Sequence, residues 1–222
     1  MMKTLQTAIL LVSLLLVGCT TDSYDTGEGA YSNTVADFAE LRSDGAKHGV
    51  SFVTDEGVNY ILDNTISASW IKTADSVYRA CVYYNKVSET MAHAVSCFNI
   101  PTLRPKAASN FIRQPQDPLD VESCWMSKNG KYLNMALLIK NGRNESGYES
   151  VHALSLVLDE THQNADGTKT AYYRLLHDKG TAPAYYTNRH YVSVLLPNSN
   201  RPDSVRLTIK TYSADYVKTL KL

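Results

Sequence analysis

The sequence has no excess of charge of either sign and no cluster of basic residues. Its 222 residues include 22 Lys and Arg against 22 Asp and Glu. A protein that neutralises several phosphates needs grouped Lys and Arg side chains. The sequence therefore predicts no nucleic-acid partner.

The sequence also lacks the short motifs that mark common catalytic, nucleotide and cofactor sites. It contains no Gly-x-Ser-x-Gly, His-Glu-x-x-His, Gly-x-Gly-x-x-Gly, Cys-x-x-Cys or phosphate-binding loop pattern. Because all of them are missing together, the sequence predicts a protein that is not an enzyme and that binds no nucleotide or other cofactor.

No metal site is predicted, because no two histidines share ligand spacing on one predicted strand face. A two-sheet fold could still bring some of them together, since zinc ligands need only be close in space. The six histidines are His48, His93, His152, His162, His177 and His190.

Only the N-terminus carries a long uncharged apolar run, from Ala8 to Gly18, after the basic start Met1-Met2-Lys3. A helix that spans a hydrocarbon core of about 30 Å needs about 20 apolar residues, and this run has roughly half of that. Residues 1–18 are therefore predicted to be a signal peptide, and no later run is long enough to span a membrane.

The signal peptide ends in Leu16-Val17-Gly18-Cys19, which has the pattern of a lipobox. The alternative is an ordinary signal peptide followed by a chance cysteine. Acyl chains on Cys19 would stabilise membrane attachment by about 0.8 kcal/mol per buried CH₂ group. Residues 19–30 are small, polar and acidic, so they are predicted to be the lipidated cysteine and a flexible tether.

The residue after the lipobox cysteine predicts which membrane holds the anchor. Thr20 occupies the position where the inner-membrane retention signal has Asp. We therefore expect a lipid-anchored protein of the outer membrane, with its body on either the periplasmic or the surface face.

The mature chain has little that predicts helix. No apolar stripe with a 3.6-residue period is longer than two turns, whereas fifteen Tyr residues, many β-branched residues and frequent Gly, Asn and Asp turns are typical of strands. The fold class is therefore predicted to be all-β. Five predicted strands between residues 31 and 112 suit a small closed barrel.

The second half, residues 113–222, is predicted to be an immunoglobulin-like two-sheet sandwich, because its strands alternate between one dry and one wet face. Leu133, Met135, Leu137 and Ile139 lie on one such dry face. The segment 101–118 carries four of the seven prolines. Proline removes sheet hydrogen-bond donors, so this segment predicts a connection, with the domain boundary near residue 112.

Three cysteines remain after Cys19, and an exported chain meets an oxidising compartment. A hairpin with its tip at Glu89 places Cys81 and Cys97 directly opposite, because both are equally far along the chain from the tip. Opposed Cβ atoms lie close enough for a disulfide, which predicts a Cys81–Cys97 bridge. The alternative is two buried free thiols, and Cys124 is interpreted as a small core residue.

Several tyrosines are predicted to share one aromatic face, because they lie on two strands that a short loop would join. Such a face could stack on sugars or grip a protein partner, and the alternative is that these rings only cover solvent-facing pleats. The residues are Tyr172, Tyr173, Tyr185, Tyr186 and Tyr191.

The order of these features resembles the NigD-like lipoproteins of Gram-negative bacteria. The matching stretches are the lipobox, the five-strand first half, and Asp117-Pro118-Leu119-Asp120-Val121-Glu122-Ser123-Cys124-Trp125 leading through Gly130-Lys131-Tyr132-Leu133-Asn134 into an apolar strand. The resemblance implies an N-terminal OB-fold domain and a C-terminal β-sandwich. It also implies a role in bacteriocin immunity, through the genetic locus that named the family.

Two functional hypotheses follow. The first is a non-enzymatic envelope protein that binds a protein or peptide through its β surfaces, with bacteriocin immunity as one instance. The second is a carbohydrate-binding accessory lipoprotein, or a hydrolase built on an unrecognised pair of carboxylates.

Overall fold

The computed structural model describes residues 32–143, 147 and 151–222. The predicted signal peptide, the lipidation site Cys19 and the tether to residue 30 lie outside the described residues. Within the described part, no helix has the length and apolar character needed to cross a membrane. The predicted all-β class is confirmed, and the strands below all belong to the unit Val35–Leu222.

The first half is a closed five-stranded barrel, as predicted, with the strand order β1-β2-β3-β5-β4. Strands β3 and β5 are parallel, and the other neighbouring pairs are antiparallel. Closure leaves no free sheet edge. The strands are β1 (Val35–Ser43), β2 (Gly49–Thr54), β3 (Asn59–Ile66), β4 (Val77–Lys86) and β5 (Met91–Asn99).

Side chains alternate between the inside and the outside of the barrel wall, as strand geometry requires. Three aromatic rings fill part of the interior, with Phe52 centred 4.9 Å from Tyr84 and 5.3 Å from Tyr60. Ala39 and Leu41 of β1 lie in the same core. The intervening positions of β1 and β4 face outward.

The β4–β5 hairpin contains a bulge that changes its predicted register. Near the tip, Tyr84 lies opposite Ala94, which is the pairing expected for a tip at Glu89. One position further, Tyr83 lies opposite Ser96. The register therefore shifts by one residue, at Val95 of β5.

The bulge places the first two cysteines on opposite faces of the barrel wall. Cys97 lies opposite Val82 and packs against the barrel core, whereas Cys81 lies opposite Phe98 and faces outward. Both are free thiols. The predicted Cys81–Cys97 disulfide is wrong, because a shift of one residue reverses the face to which a side chain points.

Two short strands lie within the proline-rich segment. β6 (Thr102–Leu103) and β7 (Lys106–Ala107) pair in parallel with strands of the second half, and a 3₁₀ turn follows at Ala108–Asn110. Part of the proline-rich segment therefore belongs to the sheets of the second half, and only the rest of it is a connecting loop. The domain boundary near residue 112 stays a prediction.

The second half is a sandwich of two sheets. We call β14-β13-β11-β10-β7 the outer sheet and β6-β12-β9-β8 the barrel-facing sheet. The long strands are β8 (Asp120–Met126), β9 (Tyr132–Asn141), β10 (Ala153–Gln163), β11 (Lys169–Asp178), β12 (Tyr186–Leu195), β13 (Ser204–Ile209) and β14 (Tyr216–Lys221).

The sandwich core lies between the two sheets and is mostly aliphatic. Leu133, Met135, Leu137 and Ile139 of β9 all point into it, as their spacing predicts. Leu207 of the outer sheet packs in the same cluster. Apolar burial of this kind stabilises a fold by roughly 25 cal/mol per Å² of area removed from water.

Candidate functional site

The candidate site lies where the barrel wall meets the barrel-facing sheet. Tyr132, Asn134 and Ala136 alternate along β9 with the aliphatic core residues and are themselves buried. The prediction of one wet face for each sandwich strand is therefore wrong for β9. The reason is that outward-facing side chains of the barrel cover this face.

A buried guanidinium joins the two halves. Arg79 of β4, which is 6% exposed, donates two hydrogen bonds of 2.6 Å to the two carboxylate oxygens of Asp55. It also donates to Asn134 Oδ1 at 3.0 Å and to Ser193 Oγ at 3.1 Å. A paired guanidinium fork of this kind is both strong and directional.

The partners of Arg79 also bond to each other. Asn134 Nδ2 donates to Asp55 Oδ2 at 2.8 Å, and Ser193 Oγ donates to Asn134 Oδ1 at 2.7 Å. We call Arg79, Asp55, Asn134 and Ser193 the Arg79 network. Its members come from the turn after β2 and from β4, β9 and β12, so it fixes the barrel against the sandwich.

Tyr132 extends this contact. The Arg79 guanidinium lies 4.0 Å from the centre of the Tyr132 ring, and the Tyr132 hydroxyl donates to Glu40 at 2.6 Å. Lys131 pairs with Glu40 at 2.6 Å. Burial acts to raise the pKa of Glu40, but the bonds from Lys131 and Tyr132 outweigh it, so the pKa lies below its ordinary value.

A cleft of about 430 Å³ opens beside the Arg79 network. Its walls come from β1 and β4 of the barrel and from β8 and β12 of the sandwich. Its lining includes four aromatic and two acidic residues, namely Phe38, Tyr83, Trp125, Tyr191, Asp37 and Glu56.

Five aromatic rings form a continuous row, and four of them line this cleft. The Phe38 ring centre lies 5.4 Å from those of Trp125 and Tyr191. The ring of Phe98 stacks at 23° to Tyr191, 6.2 Å away, and also lies 6.2 Å from Tyr83. We call these five residues the aromatic row, and both halves of the protein contribute to it.

Acidic groups and one thiol complete the cleft. Asp37 accepts a 2.7 Å hydrogen bond from the Tyr84 hydroxyl, and Glu56 pairs with Lys128 at 2.9 Å. Burial and the nearby Asp37 carboxylate raise the pKa of Cys81 to about 11. The nucleophilic form of cysteine is the thiolate, so at neutral pH this thiol is not activated.

The other two cysteines of the described residues pack in the two cores. Cys97 packs against the barrel core, and Cys124 lies in the sandwich core. Burial raises the pKa of each to about 11. Across the described residues, no group of three or more His, Cys, Asp and Glu side chains is placed to hold a metal ion.

The predicted tyrosine face is wrong, because β11 belongs to the outer sheet and β12 to the barrel-facing sheet. Tyr173 is buried in the sandwich core, and Tyr172 lies on the other face of β11, 6.0 Å from the Arg206 guanidinium. Tyr185 and Tyr186 are exposed. Of the five, Tyr191 alone lines the cleft.

Sequence reasoning missed the other four members of the aromatic row. Phe38 and Tyr83 each lie next to barrel-core positions of their strands, and strand alternation therefore predicts that their side chains face solvent. A large ring at such a position is the signal that could have marked them, since large apolar side chains on a surface often indicate a contact.

The fold resembles solved structures from Bacteroides and Parabacteroides species, at low sequence identity. A NigD-like immunity protein from Bacteroides caccae is 20% identical with a TM-score of 0.61, and the match covers 84% of this chain and 92% of that one. This agrees with the family resemblance in the sequence. No family model and no curated protein matches the chain.

Two further structures have the same fold. A protein described as toxin-related, from Parabacteroides distasonis, is 16% identical with a TM-score of 0.64, over 85% of this chain and 93% of that one. A protein of unknown function from Bacteroides vulgatus is 13% identical with a TM-score of 0.60, over 85% and 91%. None of the three is named as an enzyme.

Proposed function

We propose that this protein is a non-enzymatic lipoprotein of the outer membrane that binds a protein or peptide in the cleft beside the Arg79 network. The aromatic row is the observation that carries the proposal. Aromatic side chains are enriched at protein interfaces and at their energetic hot spots.

The composition of the cleft favours a particular kind of segment. Aromatic rings offer a large contact area and lose few torsional freedoms on binding. Asp37 adds a negative charge at the cleft, whereas Glu56 is paired with Lys128. The partner that fits is an extended segment with an apolar or aromatic side chain next to Lys or Arg.

The chemistry of the cleft supports binding rather than reaction. Its thiol is protonated at neutral pH, and the Asp55 carboxylate is held by the Arg79 fork. A nucleophile needs an adjacent base or a lowered pKa. Cys81 has a raised one.

The location rests on the N-terminal sequence. Removal of residues 1–18 and lipidation of Cys19 would leave the folded body on a tether at the membrane surface. Cys19→Ser is expected to release the protein from the membrane fraction or to block signal removal. Processing and membrane partition identical to those of the parent would contradict the anchor.

Immunity to a bacteriocin is the specific role we favour. It is supported by the fold shared with a NigD-like immunity protein and with a protein described as toxin-related. A cleft that captures a peptide segment outside the cytoplasm could sequester such a toxin.

Selection of peptides from a displayed random library on the purified full-length protein tests the binding proposal. Selected peptides should share an apolar residue next to a basic one. Trp125→Ala is expected to weaken their binding by about tenfold or more, since hot-spot truncations cost about 2 kcal/mol. Tyr185→Ala is the matched control, because Tyr185 is 77% exposed and lies outside the cleft.

Two results would contradict this proposal. One is selected peptides that bind the Trp125→Ala variant as tightly as the parent. The other is no peptide selection together with saturable glycan binding that Trp125→Ala removes, which would assign the cleft to carbohydrate instead.

A further inference from the structure

One end of the sandwich core is more polar than the rest. Asn141 ends β9, His177 lies near the end of β11, His190 lies on β12, and His152 directly precedes β10. Asn141 and His177 are each only 4% exposed. Polar groups buried this deeply normally have hydrogen-bond partners.

The tautomers of two of these histidines follow from their partners. His177 Nδ1 lies 3.0 Å from the Asp117 carbonyl oxygen, which can only accept, so Nδ1 carries the proton and Nε2 is an acceptor in the neutral ring. His152 Nδ1 lies 2.8 Å from His177 Nε2 and must therefore donate to it. The remaining nitrogen, His152 Nε2, is then an acceptor.

Both rings are held in the neutral form. Burial lowers the pKa of His152, and the neighbouring His177 and His190 lower it further. Burial likewise lowers the pKa of His177, against the opposing effect of Asp117. The neutral state that the tautomer assignment requires is thus the favoured one at neutral pH.

Two acceptors at this end have no donor. His152 Nε2 is buried and has no hydrogen-bond partner among the described residues, and the same holds for Asn141 Oδ1. Asn141 Nδ2 lies 3.1 Å from His190 Nε2 and donates to it in the His190 tautomer that carries its proton on Nδ1. A buried acceptor without a donor destabilises a fold, so a structure that keeps two of them favours a ligand that donates to both.

Both acceptors belong to residues that line one cavity of about 590 Å³. Tyr191 and Phe98, stacked at 23°, stand at one side of it, and Ile139 and Leu154 line another part. Its described lining includes Arg189 but no Asp or Glu. A cationic ligand would therefore meet no opposite charge there, and the Arg189 guanidinium is already paired with Glu122, so the lining favours a neutral ligand.

We infer that this cavity binds a neutral polyhydroxylated ligand of the sugar class, with two hydroxyls donating to His152 Nε2 and Asn141 Oδ1 and a ring face against Tyr191 and Phe98. Hydroxyl donors satisfy both acceptors, and aromatic faces suit the apolar face of a sugar ring. Because neither acceptor atom is exposed to solvent, binding includes side-chain shifts, which commonly accompany complex formation. The cavity shares Tyr191 and Phe98 with the aromatic row, but its two acceptors lie outside the peptide cleft, and the inference does not depend on the proposed function.

Calorimetric titration of the purified full-length protein with glucose, mannose and N-acetylglucosamine tests this inference. The detergent must lack a sugar headgroup. We expect saturable binding of at least one sugar. Asn141→Leu, which removes one acceptor and adds no charge, is expected to weaken that binding by about tenfold.

Two control variants define the site. His162→Leu changes an exposed histidine at the far end of β10, and Trp125→Ala changes the peptide cleft without touching this cavity. Both are expected to bind sugar as the parent does. Sugar binding of unchanged affinity in Asn141→Leu would overturn the inference, because Asn141 Oδ1 would then not accept a hydrogen bond from the sugar.

Histidine NMR at several pH values gives a readout that a purely structural role would not move. Protonation of His152 puts a hydrogen on Nε2 and turns the acceptor into a donor, so the hydroxyl that donates to it at neutral pH must rotate to accept, and sugar affinity should change as the solution becomes acidic. The titratable and charged groups around the pair are His177, His190, Asp117, Asp178, Lys179 and Arg189. Bound sugar should also shift the Nε2 resonance of His152 at neutral pH.

The remaining outcomes overturn the inference. One is that none of the three sugars binds. Another is that zinc ions bind and shift the His152 resonance while the sugars do not, which would assign the cavity to a metal. A third is sugar affinity that stays constant with pH.

Discussion

The Arg79 network and the aromatic row lie side by side between the barrel and the sandwich, but they differ in how completely their side chains are paired within the protein. In the network, every member bonds to another member, and Arg79 and Asn134 are buried. The row leaves rings along an open cleft. The difference indicates that the network holds the two halves in place, whereas the row offers a surface that a partner can complete.

Arg79→Met should produce the largest loss of stability. It removes the guanidinium that neutralises the Asp55 carboxylate and donates to Asn134 and Ser193 inside the junction. Breaking one side of a buried ion pair typically costs about 3–5 kcal/mol. Urea unfolding measures the change in the free energy of unfolding.

Arg42→Met is the control, because Arg42 is an exposed residue of β1. A change of less than about 0.5 kcal/mol is expected there. An Arg79→Met variant as stable as this control would mean that the network does not join the halves.

Limited proteolysis should cut first near Ile112. This side chain is fully exposed, and loops with few backbone partners open most readily. Arg79→Met should speed the cut, since the halves would separate more often. Mass spectrometry of the early fragments measures the cut site. First cleavage inside a barrel strand would contradict the prediction that the connection around Ile112 opens before either half.

Tyr132→Phe should cost about 1 kcal/mol, which is typical for one hydrogen bond. The change removes the hydroxyl that donates to Glu40 but keeps the ring under the Arg79 guanidinium. Thermal unfolding of the variant beside Tyr212→Phe, an exposed tyrosine of the sandwich, checks this. Equal stability of the two variants would show that the Glu40 bond contributes little.

Glu40→Gln should alter the pH dependence of stability. The folded-state pKa of Glu40 lies below its ordinary value, so its stabilising effect is complete above the unfolded-state pKa and is lost as the pH falls through the lower folded-state pKa. The difference in unfolding free energy between parent and Glu40→Gln should therefore shrink at acidic pH. A difference that grows on acidification would contradict the sign.

The smallest effect is expected for treatment of the folded protein with an alkylating reagent, because the thiols of Cys81, Cys97 and Cys124 should react little. Burial raises their pKa values to about 11, so little thiolate is present at neutral pH. Alkylation of the folded protein should be slow, and peptide maps without reductant should contain Cys81 and Cys97 as separate free thiols. A mapped bridge between them would require the register without the bulge.

Local patterns in the sequence predict most strands of this fold. The alternation of Leu133, Met135 and Leu137 marks β9, and the short spacing of the first five strands marks the barrel. These features depend on neighbouring residues, which is why they can be read without a structure.

The candidate site depends on contacts that no local pattern contains. Arg79 and Ser193 are 114 positions apart in the sequence. Phe38 points outward from the barrel, so its position in β1 predicts contact with solvent, whereas in the structure the sandwich covers it. The Val95 bulge is equally hidden, because one extra residue changes the register without changing the strand composition. The prediction was therefore limited by contacts between residues far apart in the sequence and by strand register, neither of which the composition of a strand reveals.

The long separation within the Arg79 network also has a consequence in time. Where the chain emerges N-terminus first, Arg79 is available well before Asn134 and Ser193, so its guanidinium can pair with Asp55 before the acceptors on β9 and β12 are in place. Contacts between distant parts of a chain form late and slow the final step of folding. The barrel can close early, but its outer wall acquires its last hydrogen bonds only when β12 has been made.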